Sequence, residues 1–297
     1  MSAPPLLFDR SLRRQRLDRS AASFAGADFL HRRAAEDAAD RLSAIMRRFP
    51  RAVELGGAPG LMSDLVSPEQ VGSLIQAGGS PARLRRVTGP RLVADEERLP
   101  FRDQSLDLIV SLLSLHWTND LVGALVQIRR ALKPDGLFLG ALLGGATLTE
   151  LRQSLLIAES ETGAGAGLRV SPFADGFDGA ALLQRAGFAL PVADVDRVTV
   201  RYDHPIKLMA DLRAMGETNM LVERPRTPLT RRVLARAAEV YVERFGLPDG
   251  RIPATFEIVT LTGWAAHESQ QTPLKPGSAR MRLADALQVV EHKLENE

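Results

Sequence analysis

The chain has 297 residues, 45% of them hydrophobic, enough to bury a full core and fitting one elaborated domain or two modest ones. A net charge of +2 leaves no global electrostatic footprint for nucleic acid, and no apolar run approaches the ~20 residues of a bilayer span. With no cysteine, disulfides, thiolate-bound zinc, iron–sulfur ligation and cysteine nucleophiles are excluded together.

That absence suits a reducing cytoplasm, the expected location. The basic side chains are nearly all arginine, with lysine only at Lys133, Lys207, Lys275 and Lys293, a bias that reads as GC-rich codon usage. Arg10, Arg13, Arg14, Arg16 and Arg19 lie in a Ser/Ala-containing N-terminus like that of a transit peptide, but Asp9 and Asp18 argue against one. Their spacing among acids reads as one solvated helix face, the alternative being a grip on an acidic partner or a carboxylate substrate.

Residues 8–49 read as helical, with Phe24, Phe29, Leu30, Ala34, Ala38, Leu42, Ile45 and Met46 at helical spacing. Strands are predicted at 52–55, 72–76, 91–94, 106–113 and 137–143, and helices at 61–66, 81–86, 119–132 and 148–161. This alternation predicts a parallel sheet with both faces covered. Thr147 and Glu150 have the spacing of a capping box for the helix at 148–161. A helix at 180–188 closes on Gly187, and the last two strands fall at 192–202 and 255–264. Between them, His204 to Pro253 reads as a helical cap on the substrate side. In the tail, Leu283, Leu287, Val290 and Leu294 form one helical stripe, read as docking surface. The expected division is 1–49 helical segment, 50–202 Rossmann-like core, 203–253 cap, and 254–297 last strand and C-terminal helix.

Three segments carry chemistry. VELGGAPG at 53–60 ends an apolar strand in Glu54 and turns through Gly56, Gly57 and Gly60, letting backbone approach a ligand closely. A helix starting near Leu61 is expected to point its free N–H groups at the ligand's carboxylate. RLVADEERLPF at 91–101 and ALKPDG at 131–136 follow, each expected at a strand end, where open α/β sheets bind ligands. Together they predict an S-adenosylmethionine (SAM) site on a doubly wound α/β domain.

FDRSLRRQR at 8–16, LVADEERLPF at 92–101, SLLSLHWTNDL at 111–121, KPDGLFLGALLGGATLTELR at 133–152, SPF at 171–173, MGETN at 215–219, PATF at 253–256 and HES at 267–269 carry a more specific likeness. They resemble mitochondrial complex I assembly factor five and its bacterial relatives, from about Phe8 to about Ala279. A looser resemblance, through the LPF and LHW regions, is to the malonyl-acyl-carrier-protein O-methyltransferase of biotin synthesis. The resemblance implies a seven-stranded class I SAM-dependent methyltransferase fold. It further implies a role in assembling NADH:quinone oxidoreductase, by hydroxylating an arginine of an iron–sulfur subunit. By the same resemblance Glu54, Gly56, Gly57, Ala58 and Gly60 match the methionine-binding turn, Asp95 and Glu96 the adenine contacts, and Ser114 the cofactor side of the fourth strand.

The pattern is broken twice. Ala58 stands where glycine is usual, and Gly78 where an acid would hold both ribose hydroxyls, with Glu69 the only carboxylate between Asp64 and Asp95. Losing that acceptor would forfeit about 1.5–3 kcal/mol. His116 and Trp117 follow the fourth strand as candidate catalytic residues; alternatively Trp117 walls the pocket and His116 bonds a backbone carbonyl. Glu217, Thr218 and Asn219 are candidate substrate residues, or a helix-terminating turn. No His-x-Asp or His-x-Glu pair suggests a non-haem iron triad, so no metal is expected. The rival functions are an O-methyltransferase on a small or carrier-bound carboxylate and a non-catalytic assembly chaperone with a degenerate SAM site.

Overall fold

Seven strands form one sheet in the order β3-β2-β1-β4-β5-β7-β6. They are β1 (Phe49–Leu55), β2 (Val71–Gly78), β3 (Arg91–Val93), β4 (Leu106–Leu112), β5 (Leu132–Leu143), β6 (Phe188–Tyr202) and β7 (Ile252–Ala265). β1 to β5 run parallel, and β7 pairs antiparallel with both β5 and β6. The computed structural model describes residues 6–163, 167–173 and 179–270, so the tail stripe from Leu283 to Leu294 lies outside the described residues. Met1–Ala266 is one compact unit and His267–Glu297 a second.

β4 reads LDLIVSL and is buried along its whole length, as expected of a central strand covered on both faces. One face packs against α2 (Phe29–Ser43), whose Leu30, Ala34, Ala38 and Leu42 meet Phe49, Leu108, Val110 and Leu139 in one core. α5 (Thr149–Thr162), α7 (Pro205–Met215) and α8 (Arg231–Phe245) contribute to that core through Leu155, Leu208 and Tyr241. On the other face α4 (Leu121–Ala131) sets Ala124, Leu125 and Ile128 against Val53, Ile109 and Phe138, joined by Leu183 of α6 (Gly179–Arg185). α1 (Arg10–Ser20) and the short α3 (Pro81–Leu84) lie at the end of the sheet where β1 and β2 finish. Both α7 and α8 fall between β6 and β7.

Three local expectations are corrected. Residues 61–66 form turns and no helix, and the N–H groups of Gly60, Leu61 and Met62 donate to the Glu54 carboxylate. The capping box does not form: Leu148 is the N-cap of α5, in left-handed conformation (φ 55°). Thr147 instead bonds the backbone of Glu257, and Glu150 accepts from the backbone N–H (3.1 Å) and hydroxyl (2.5 Å) of Thr255. Third, ALKPDG opens β5 level with Leu106–Leu108, whereas the glycine turn leaves β1 beside Ser111, so this segment lies away from the site.

The Glu150 carboxylate therefore fastens α5 to β7. Glu150→Ala, which leaves the Thr255 N–H without its acceptor, is expected to lower stability by about 2 kcal/mol in urea unfolding.

Candidate functional site

Ligands of an open α/β sheet bind beyond the carboxyl ends of the strands where the strand order reverses, here between β1 and β4. Glu54 is buried at that end of β1, and its carboxylate accepts from Gly60 (3.1 Å), Leu61 (3.1 Å) and Met62 (3.3 Å). Burial raises its pKa to about 7 against the lowering effect of those bonds. The turn thus binds its own strand's carboxylate. Gly56 has φ +138°, and a Cβ there would stand 2.6 Å from Ser114 Cβ. Ala58 is buried.

The arginines of α1 close over this turn, contrary to the solvated face expected of them. Arg10 pairs with Asp95 (2.8 Å) and Glu96, and Arg14 with Asp95 (3.0 Å). Arg13 is 2% exposed, donates to Ser114 Oγ (2.6 Å) and lies 3.7 Å from Glu96 Oε1. Burial works to raise the pKa of Asp95 and Glu96, but the Glu97 N–H bond with Arg10 and Arg14 at Asp95, and Arg13 and Arg10 at Glu96, outweigh it and lower both. A Cβ built on Gly57 would meet Leu17 Cδ2 at 3.3 Å and Arg13 Nη2 at 3.4 Å, so α1 rests directly on the glycine turn. Beneath α1, Arg83 bonds Gly57 O, Ser20 Oγ (2.8 Å) and Met215 O (2.6 Å), with its guanidinium 4.0 Å from the Phe24 ring centre.

β1 and β2 stay paired through their carboxyl ends. Gly56 N–H donates to Ala77 O at 2.8 Å, and a Cβ on Gly78 would lie 2.1 Å from Gly56 O. Glycine at 78 is thus required by packing, and no acid can stand there without separating the strands. The residue types of the turn and of Asp95–Glu96 suit SAM, but the space between them is filled by Arg13 and Leu17, and their polar groups are already bonded. The residues as arranged do not fit the cofactor.

A second constellation lies on the cap side. His116 Nδ1 accepts from the Leu143 N–H (3.3 Å), and Nε2 faces Glu217 Oε2 at 3.5 Å. Its expected carbonyl partner is therefore corrected to a backbone donor. Burial lowers His116, so the ring is neutral with its proton on Nε2. Trp117 Nε1 donates to the same Glu217 oxygen at 2.5 Å. Burial acts to raise Glu217, but its bond to His116 and the charge of Arg13 outweigh burial and lower it to about 2. Glu217 Oε1 accepts from no described donor.

Glu217, Thr218 and Asn219 line a cavity of about 550 Å³, with Trp117, Leu148, Phe173 and Leu212 among its apolar walls. Asn219 is tied down through its backbone oxygen to Arg16 and through Nδ2 to Leu168 O (2.5 Å). Arg16, Arg213 and Arg226 also line the cavity, and none forms an ion pair among the described residues. Arg13 joins the two constellations, with its guanidinium carbon 5.9 Å from the Trp117 ring centre.

Sequence reasoning missed Arg10, Arg13, Arg83, Phe8 and Phe173. The first two had a signal: Arg10, Arg13, Arg14 and Leu17 share one helix face at i, i+3, i+4 and i+7. Arg83 had none, because its partners come from the glycine turn, α1 and α7. Among the described residues, no group of three or more His, Asp or Glu is placed to hold a metal ion, and no helix is long and apolar enough to cross a membrane.

Comparison with known proteins gives three findings. Residues 53–140 match the methyltransferase domain model. The chain is 40% identical over 286 residues to the mitochondrial arginine-hydroxylase NDUFAF5 of Danio rerio, covering 94% of this chain and 89% of that protein; the human protein of the same name is also 40% identical. It is 34% identical to the malonyl-[acyl-carrier protein] O-methyltransferase of Halorhodospira halophila, over 92% of this chain and 94% of the relative. The fold matches the solved structure of BH2331, a Bacillus halodurans protein ascribed to the methyltransferases, with TM-score 0.54 at 13% identity over 78% of this chain and 99% of that one. The chain thus has the seven-stranded fold of the SAM-dependent methyltransferase superfamily.

Two outcomes follow from the geometry. The fold lowers Glu217 from 4.5 to about 2, so its stabilising contribution is whole above the unfolded value and is lost as pH falls towards the folded one. Between about pH 5 and about pH 2, wild-type protein is expected to lose about 3 kcal/mol more than Glu217→Gln in urea unfolding, and equal losses would contradict the charged carboxylate. Gly78→Asp is expected to cost about 3 kcal/mol, read as a lowered melting temperature, because its Cβ collides with backbone.

Proposed function

The chain belongs to the family of the NDUFAF5 arginine-hydroxylases, and from that premise we propose that it is an assembly factor for NADH:quinone oxidoreductase that holds an arginine of a client protein. The client implied is an iron–sulfur subunit, met in the cytoplasm. The observation that carries this reading is the cavity wall where the Glu217 carboxylate, 6% exposed, has one oxygen that accepts from no donor among the described residues, beside Trp117 and Phe173. A guanidinium is planar and always charged, donates in a fixed fork and stacks on aromatic faces, so it matches a fixed carboxylate between rings better than an ammonium does. Neutral His116 and the Trp117 indole hold Oε2, leaving Oε1 to meet the client. His116 and Glu217 thus position the client, and the reading concerns its recognition.

A second reading is an O-methyltransferase acting on a carrier-bound carboxylate. It is favoured by Arg16, Arg213 and Arg226 on the same cavity and by the likeness to the malonyl-[acyl-carrier protein] enzyme. It requires a cofactor cleft that side chains of α1 occupy here, so the first reading stands ahead.

Deletion of the gene is expected to remove most NADH oxidase activity from membranes. Complementation with the wild type restores it, while Glu217→Gln, expressed to equal level, restores less than about a tenth of it. Full restoration by Glu217→Gln sinks the carboxylate's role, and normal oxidase in the deletion strain sinks the assembly reading. A biotin requirement there would point to the second reading.

A further inference from the structure

We propose that α1 is the permanent occupant of the nucleoside cleft, so that this chain works without binding SAM. The inference goes beyond the assembly reading and concerns a different part of the molecule.

Every recognition element that the cofactor would use is bonded to the chain itself. The N–H groups of Gly60, Leu61 and Met62, which would meet a ligand carboxylate, donate to Glu54. At the other end, Asp95 and Glu96, which would hold the nucleoside, carry the guanidinium groups of Arg10, Arg13 and Arg14. Ser114 Oγ takes a bond from Arg13 and gives one to Glu96 Oε1 at 2.5 Å. Leu17 and Arg13 stand over Gly57, the surface that a missing Cβ leaves open to a ligand.

One further observation separates a built-in occupant from a lid. Gly78 has no side chain to offer a ribose, and its would-be Cβ stands 2.1 Å from Gly56 O, so an acid cannot be placed there without moving backbone.

α1 is fixed here from several directions. Asp9 caps it by accepting from Leu12 N–H at 2.9 Å, and Phe8, just before it, packs edge-on against Trp117 with ring centres 5.2 Å apart. Asp18 accepts from Ser80 Oγ at 2.6 Å and from Ala82 N–H at 3.0 Å. Burial works to lower Arg13, and the charges of Glu96 and Glu217 oppose it. The guanidinium is therefore held where a cation between two buried carboxylates is needed, whether or not a cationic ligand is supplied.

The test is calorimetric titration of the full-length protein with SAM and with S-adenosylhomocysteine, alongside thermal melts of wild type, Arg13→Ala and the milder Leu17→Met, with and without S-adenosylhomocysteine. No heat of binding up to millimolar ligand is expected, an affinity at least about a thousandfold weaker than micromolar. Both variants should melt lower than wild type, and millimolar S-adenosylhomocysteine should leave those losses unrecovered. Micromolar binding by the wild type overturns the proposal. Recovery of either variant's melting temperature by the ligand overturns it too, since α1 and cofactor would then compete for one usable site. The wild-type titration decides the matter even if Arg13→Ala does not fold. Because NADH oxidase in the deletion strain is read separately, failure of this proposal leaves the assembly reading standing, and the reverse.

Discussion

Arg13 is a buried cation between two buried anions, and the site is arranged around it. Its guanidinium bonds Ser114, approaches Glu96 at 3.7 Å and overlies Trp117, which in turn holds Glu217. A buried charge with its partner removed is far more costly than the pair is valuable, commonly by 3–5 kcal/mol, so each of these groups makes the others obligatory. Arg10 and Arg14 spread the same neutralisation to Asp95 at the edge of the cleft. In this way a helix at the start of the chain fixes both the old nucleoside side and the cap side, and the position of Glu217 depends on residues with no contact to the cavity.

The glycine turn shows how a ligand-binding motif can survive while its ligand is replaced. In a binding turn, free N–H groups are the attraction for an anion. Here Glu54, the strand-ending acid of that same motif, curls back to accept from them, and turns follow in place of a helix. The turn keeps its glycines because Gly56 lies against Ser114 and Gly78 against Gly56 O, contacts in which any side chain would collide. Packing of the chain against itself selects the same residues as packing against a cofactor.

This explains what could be read from the sequence and what could not. All seven strands were legible, since β-branched and apolar runs stand between turn residues, although β3 is exposed along its length. The helix at 61–66 was not, because six residues carry too little periodicity to tell a helix from successive turns. The Thr147–Glu150 box had the right spacing, yet both side chains found partners on β7, over a hundred residues away. The arginines of α1 were misread for a related reason. Among acids in sequence they look solvated, and only the fold brings Glu96 and Ser114 beneath them. Gly78 was legible as a missing acid, whereas the carbonyl that forbids one was not.

The contacts of α1 also order events during folding. Arg10 reaches Asp95 across 85 residues, Arg13 reaches Ser114 across 101, and Arg16 reaches Asn219 across 203. Helix α1 therefore has nothing to dock against until β1, β2 and β4 exist, and its last anchor arrives only with the cap. Closing loops of that length is entropically unrewarded until the receiving surface is formed, so docking of α1 belongs late in folding. Its dense positive charge then serves a second purpose, keeping an undocked helix in water while the sheet is still being made.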